Sequence, residues 1–284
     1  MTGTWQALYQ YSQQDVDLLA ALIQQRLGLS FNAARYDWML ERVLPLLSER
    51  GLDSLRDYYY LLKYDPAGET EWEQLAHVLT TNETYFWREF ERIRIVAENI
   101  VPDLQRRYPN QAVRIWHAAC SSGEEPYSMA IALLERARFL YGAIDILGTD
   151  IDKPVLAQAQ AGVYGERSFR GIPPEIQQRY FQASDDGRTL RISAAVQRRV
   201  RLEVCNLVDA RQVAALGRFN IIFCRNVWIY FSEQVSRQVA ENLYNALLPE
   251  GIVCLGAAES LLRYPQWFTL LEIEGALLYR RVAE

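Results

Sequence analysis

The chain has 284 residues, half of them hydrophobic and 23% charged, which is enough apolar material for one large domain or a domain with a smaller companion. A net charge of −5 excludes a wholesale electrostatic nucleic-acid binder, though not a local basic patch. No apolar run approaches the roughly 20 residues of a membrane helix, and the opening MTGTWQALYQYSQQDVDLL lacks a basic region and an apolar run, so a cytoplasmic protein is expected.

The first 75 residues read as helical. DVDLLAALIQQRLGL (15–29) has apolar residues at helical spacing, with Asp15 as the expected N-cap. AARYDWMLERVLPLLSERG (33–51) follows, with Pro45 marking a bend or break, then SLRDYYYLLKYD (54–65) and EWEQLAHVLT (71–80). WREFERIRIVAENIVPDLQRRY (87–108) predicts a long helix bent or ended near Pro102.

The pattern then changes. VRIWHAA (113–119), IDILGTDI (144–151), VRLEVCN (200–206), NIIFCRN (220–226) and GIVCLGA (251–257) are apolar, β-rich runs. Helical segments at 124–138, 153–161, 208–216 and 233–248 lie between most of them, so a mostly parallel sheet covered on both faces is expected. FTLLEIEGALLYRRV reads as a hairpin around Glu274-Gly275, adding an antiparallel strand at one end. Residues 165–200 interrupt the alternation with a short helix and strand pieces around a turn at Asp186-Gly187, and read as an insertion. Cys120, Cys205, Cys224 and Cys254 form no C-x-x-C pair, so buried thiols are expected and no metal site is indicated.

In such a sheet, ligands bind where the carboxyl ends of the strands face a crevice. The first strand runs into HAACSSGEEPYSMAIALLE (117–135), small residues followed by Glu124 and Glu125 at a helix start. The second ends at Asp150, the position from which an acid accepts ribose hydroxyls. The loop lacks G-x-G-x-x-G, and glutamates there would repel a pyrophosphate, which argues against NAD, FAD and ATP. S-adenosylmethionine, with a sulfonium, an ammonium and no phosphate, fits better. Two plainer readings stay open: the glutamates as helix-dipole acids, and Asp150 as a helix N-cap.

Four stretches together carry a resemblance. LTTNETYFWRE (79–89), RIWHAACSSGEEPYSMAIAL (114–133), GTDID with VLAQAQAGVY, and FNIIFCRNVWIYF (219–231) resemble the motifs of CheR-type chemotaxis receptor methyltransferases, in the right order. The resemblance implies a class I S-adenosylmethionine-dependent methyltransferase sheet, doubly wound, with a small inserted antiparallel β-subdomain around 165–200. It also implies an N-terminal helical domain over 1–80 and a catalytic domain over 81–284. The activity it implies is methyl transfer from S-adenosylmethionine to receptor glutamates. The cofactor-lining residues it implies are Asn82, Thr84, Arg88, Glu125, Asp150, Asn206, Leu207, Asn226 and Val227.

A glutamate carboxylate is already ionised at neutral pH, so the reaction needs positioning rather than a general base. Arg88 and Tyr230 are the candidates for orienting the incoming carboxylate, while His117 is expected to be structural. Arg35 and Arg42, seven residues apart, share a helix face that suits a negatively charged receptor bundle. A solvated face paired with Asp37, Glu41 and Glu49 is the alternative. The expected partner is the cytoplasmic helical bundle of a chemoreceptor, approached without membrane insertion, and a monomer is the default. The competing functions are a methyltransferase for another protein substrate and a non-catalytic, cofactor-sensing adaptor.

Overall fold

The structure, a computed structural model, describes residues 11–140, 142–184 and 187–283. The first ten residues and Asp186 of the expected turn lie outside them. Two compact units are present. One reaches Thr81 and includes Tyr230–Ser236; the other comprises Asn82–Ile229 and the chain from Arg237 onward.

The first unit contains α1 (Gln13–Leu27), α2 (Tyr36–Glu49), α3 (Leu55–Tyr64) and α4 (Gly68–Leu79). Ser12, not Asp15, is the N-cap of α1. Its hydroxyl accepts from the Asp15 N–H, while the Asp15 carboxylate takes the Ser12 N–H at 2.8 Å. This reciprocal capping box satisfies two N-terminal donors at once, which Asp15 as a lone cap would not. Pro45 does not break α2. Val43, Leu44 and Leu47 around it are fully buried, and their packing carries the helix past the missing N–H. The helices meet over Leu19, Ile23, Met39, Leu55 and Leu75, all fully buried. Glu71 is buried among them, accepting from the Tyr58 hydroxyl at 2.8 Å and from Arg50 Nε at 2.7 Å. Tyr230–Ser236 joins this unit through a bridge between Leu29 and Phe231 and a 2.9 Å bond from the Ser30 N–H to the Tyr230 carbonyl.

The second unit is built on β1 (Val113–Ala118), β2 (Ile144–Asp150), β6 (Val200–Val204), β7 (Phe219–Cys224), β8 (Leu247–Cys254), β9 (Phe268–Ile273) and β10 (Ala276–Arg281). The order across the sheet is β6-β2-β1-β7-β8-β10-β9. The first five in that order are parallel neighbours. β10 is antiparallel to both β8 and β9, so the expected antiparallel strand sits one place inside the edge. Glu274 and Gly275, with φ of 48° and 80°, make the tight turn of that hairpin.

The helices on the sheet start with α5 (Phe90–Ile95), which continues through a π turn at Val96–Ile100 into α6 (Val101–Arg107). Of the expected bend or end near Pro102, the end is absent: the helix runs on to Arg107. The wider turn just before it loosens the ladder where the proline ring would meet the Glu98 carbonyl. Next come α7 (Glu124–Glu135), α8 (Lys153–Ala161), α9 (Pro174–Tyr180), α10 (Ala194–Gln197), α11 (Ala210–Ala215) and α12 (Glu233–Ala246). The insertion is a separate antiparallel sheet of β3 (Val163–Tyr164), β5 (Leu190–Ile192) and β4 (Phe181–Ala183). Phe86 ties it down, with ring centroids 4.9 Å from Tyr164 and 4.8 Å from Phe181. All four cysteines are buried and free. Among the described residues no helix is long and apolar enough to cross a membrane.

Candidate cofactor site

Strand register builds the site. Ala118 pairs with Thr149 on one side and Cys224 on the other, and Asp150 pairs with Val204. The segments after β6, β2, β1 and β7 therefore leave the sheet along one edge. With neighbouring strands about 4.8 Å apart, that edge spreads Asn206, Asp150, the Cys120–Glu125 loop and Asn226 over roughly 14 Å. Such a span suits an extended nucleoside carrying an amino-acid tail.

Asp150 lies at the centre of this edge, 6% exposed. Its Oδ2 accepts from the Ser121 N–H at 2.8 Å and its Oδ1 from the Asp152 N–H at 3.0 Å. Burial pushes its carboxyl up to about 6, against those two donors. The helix-cap reading of Asp150 fails, because Asp152 caps α8 through the Val155 N–H. Asn82 Nδ2 reaches Asp152 Oδ2 at 2.7 Å, which brings the segment after Thr81 onto the β2 end. Ser121 has a left-handed φ of 50°, and that twist aims its N–H at Asp150. An amide already spent on a carboxylate cannot cradle a phosphate. The donor set fits a phosphate-free, cationic nucleoside.

The two glutamates diverge. Glu124 turns inward, accepting from Ser122 Oγ at 2.7 Å and Ser168 Oγ at 2.9 Å, and burial raises its carboxyl. It holds the insertion and is not placed to meet a ligand. Glu125 keeps 16% of its side chain exposed, with Oε1 on His117 Nδ1 at 2.8 Å and Oε2 on Arg225 Nη1 at 2.8 Å. Burial alone would raise the Glu125 carboxyl, but Arg225 and His117 outweigh it and hold it below the usual range. His117, fully buried and stacked on Phe223 at 4.6 Å, sits in the core with Nδ1 on Glu125.

Past β6, the Asn206 N–H goes to Gln212 Oε1 at 3.0 Å, and its Oδ1 accepts from the Val208 N–H at 3.2 Å. Leu207 is buried, and its carbonyl accepts from Asn242 Nδ2. Past β7, Asn226 adopts a left-handed φ of 59°. The backbone around it is held by Glu259, which takes the Asn226 N–H at 2.8 Å, the Trp228 N–H at 2.9 Å and the Gly256 N–H at 2.8 Å. The Val227 N–H also faces this carboxylate. The sequence reading missed both Arg225 and Glu259. Arg225 directly follows an apolar strand, and a charge there needs a buried partner; Glu259 has no local signal.

Thr84 and Arg88 lie half-buried on the segment leading into α5. Arg88 Nη1 donates to the Glu83 carbonyl at 2.5 Å, and its guanidinium sits 5.8 Å from the Tyr85 ring. Tyr230, Arg35 and Arg42 belong to the first unit. Arg35 lies over the rings of Phe31, Trp38 and Tyr230, and Arg42 stacks on Trp38 at 3.7 Å. Arg26, Arg50 and Arg56 are instead salt-bridged to Glu69, Glu71 and Asp15.

Comparison with known proteins agrees with this geometry. Residues 14–80 match the family model described as CheR methyltransferase, all-alpha domain, and residues 82–276 match CheR methyltransferase, SAM binding domain. Chemotaxis protein methyltransferase 1 of Pseudomonas aeruginosa is 32% identical over 271 residues, spanning 94% of this chain and 97% of that protein. Chemotaxis protein methyltransferase 2 of Vibrio cholerae is 34% identical, spanning 86% of this chain and 84% of that protein. The chemotaxis protein methyltransferase of Escherichia coli is 31% identical, spanning 89% and 86%.

Proposed function

The chain belongs to the CheR methyltransferase family, and from that premise we propose that it converts glutamate side chains of chemoreceptors into methyl esters for sensory adaptation. The observation that carries the reading is the pair of fixed carboxylates, Asp150 and Glu125, with the Ser121 and Asp152 N–H groups committed to Asp150 and Arg225 to Glu125. When bound, S-adenosylmethionine supplies the sulfonium methyl group.

The residues divide the work by position. Asn206 and Leu207 flank the adenine end, and Asp150 accepts from the ribose hydroxyls. Glu125 and Asn226 meet the amino-acid tail, with Glu125 taking its ammonium. Asn82 and Thr84 close over the nucleoside. Arg88 orients the incoming glutamate carboxylate, and Tyr230 is proposed separately as a hydrogen-bond donor to it, so that positioning and exclusion of water lower the barrier without a general base. Arg35 and Arg42 dock the negatively charged receptor bundle. The protein works in the cytoplasm as a monomer, against the membrane receptor and without entering the bilayer.

The test uses receptor cytoplasmic fragments in which candidate glutamates are changed one at a time to glutamine. Label from the cofactor should disappear site by site. Label that survives removal of every bundle glutamate would point to another substrate. Arg88→Ala should lower turnover and weaken receptor binding; full turnover with unchanged receptor affinity would remove Arg88 from its role.

A further inference from the structure

Arg225 is almost wholly buried, at 4% exposure, immediately after β7. A guanidinium in that position needs a reason, because desolvating it is costly unless its charge is paired; its Nε has no hydrogen-bond partner, so the two Nη groups carry all of its bonds. Its Nη1 donates to Glu125 Oε2 at 2.8 Å. Its Nη2 donates to the Arg88 carbonyl at 2.9 Å and lies 3.3 Å from Glu89 Oε2. One rigid fork thus ties the acid of the α7 N-terminus to the backbone of the segment entering α5.

That segment is strained. Trp87 and Glu89, on either side of Arg88, have φ of 66° and 47°, where side chains with a Cβ are disfavoured. Such conformations persist only where the surroundings over-determine them. Here Trp87 stacks on Phe90 at 4.4 Å and donates its N–H to Ser128 Oγ. Glu89 is held by Arg92 at 2.9 Å and by the Ala257 N–H at 3.2 Å. The Arg88 carbonyl between them is held by Arg225. On the other side, His117 Nδ1 occupies the remaining oxygen of Glu125. With one bond on each oxygen, the carboxylate keeps lone pairs for a ligand and cannot rotate.

We propose that Arg225 is a positioning residue that fixes the Glu125 carboxylate for the cofactor's ammonium and, through the Arg88 carbonyl, sets the strained turn presenting Arg88 to the substrate. This rests on the reading of Glu125 given above. It couples the two ends of the reaction through one side chain that touches neither reactant. A lysine, as a point charge with no planar fork, could serve one arm and not both.

The experiment compares binding of S-adenosylhomocysteine with binding of methylthioadenosine, which lacks the amino-acid tail, in Glu125→Gln, Arg225→Met, Arg225→Lys and the double variant Glu125→Gln/Arg225→Met. Glu125→Gln and Arg225→Met should each weaken S-adenosylhomocysteine by about tenfold or more and leave methylthioadenosine within about twofold. The double variant should be no weaker than the worse single one, because both act on one contact. It also serves if Arg225→Met alone fails to fold, since it leaves no unpaired buried acid at Glu125. Arg225→Lys should recover part of the tail-dependent affinity. At saturating cofactor, Arg225→Met should still show a lower kcat for receptor methylation than Glu125→Gln, because it alone frees the Arg88 carbonyl. Normal S-adenosylhomocysteine binding by Arg225→Met beside a defective Glu125→Gln would overturn the inference. So would equal loss of both ligands, or full kcat at saturation. Normal binding by Glu125→Gln would overturn the reading of Glu125 itself, and the inference with it.

Discussion

Cofactor affinity should report the ionisation of Asp150. Its carboxyl is pushed up to about 6 by burial, and only the ionised form can accept from both ribose hydroxyls. At pH 6 about half the sites are ionised and affinity should fall about twofold from its plateau; at pH 5 about one-tenth are, and the loss should be about tenfold. Asp150→Asn should bind about tenfold more weakly at neutral pH, with the slope removed. Its fold should survive. A carboxyl raised from 3.8 to about 6 stabilises the folded state only while protonated, and that contribution is lost as pH rises from about 4 to about 6. The ionised acid thus costs about 3 kcal/mol at neutral pH. Asparagine removes that cost but leaves either the Ser121 or the Asp152 N–H facing an amide nitrogen, at about 1–3 kcal/mol. The two nearly offset, so the urea midpoint should barely move. The assay is calorimetric titration with S-adenosylhomocysteine from about pH 5 to about pH 8. A flat profile in the parent, or the same slope in Asp150→Asn, would refute the reasoning.

Gly123→Ala should destabilise the second unit by about 2 kcal/mol or more, since the residue has a left-handed φ of 87° and a Cβ would lie 2.8 Å from the Ala159 Cβ. Urea unfolding checks it, and cofactor affinity should fall with it. Tyr58→Phe removes one donor from the buried Glu71 and should cost the first unit about 1–2 kcal/mol, read by urea unfolding, with S-adenosylhomocysteine affinity unchanged. Reversing Arg35 and Arg42 to glutamate should lower kcat/KM for receptor methylation by about tenfold at low salt. Cofactor affinity should stay as it was; its loss would mean misfolding rather than lost docking.

The alternation of strands and helices was legible because period-2 and period-3.6 hydrophobic patterns are local. The place of Asp150 was legible for a related reason: it ends the apolar run of β2, though only the structure shows that Asp152, and not Asp150, caps the following helix. What escaped was non-local or reciprocal. Choosing between Ser12 and Asp15 as cap depends on a two-way bond, and the passage past Pro102 depends on the packing that tolerates a π turn. The adjacent glutamates look alike in sequence, but one helical step turns Glu124 toward Ser168 and Glu125 toward Arg225. Glu259 supports the Asn226 backbone from 33 residues away, a pairing no short window contains. Local pattern places the elements and the acids; the partners that orient those acids emerge only on folding.

The central claim is tested most directly by incubating the protein with labelled S-adenosylmethionine and a chemoreceptor cytoplasmic fragment, with Asp150→Ala as control. The account predicts label on the receptor that mild base releases as methanol, and its loss in the control. Base-stable label, or a panel of receptor fragments that all stay unlabelled while the protein binds S-adenosylhomocysteine, would contradict it.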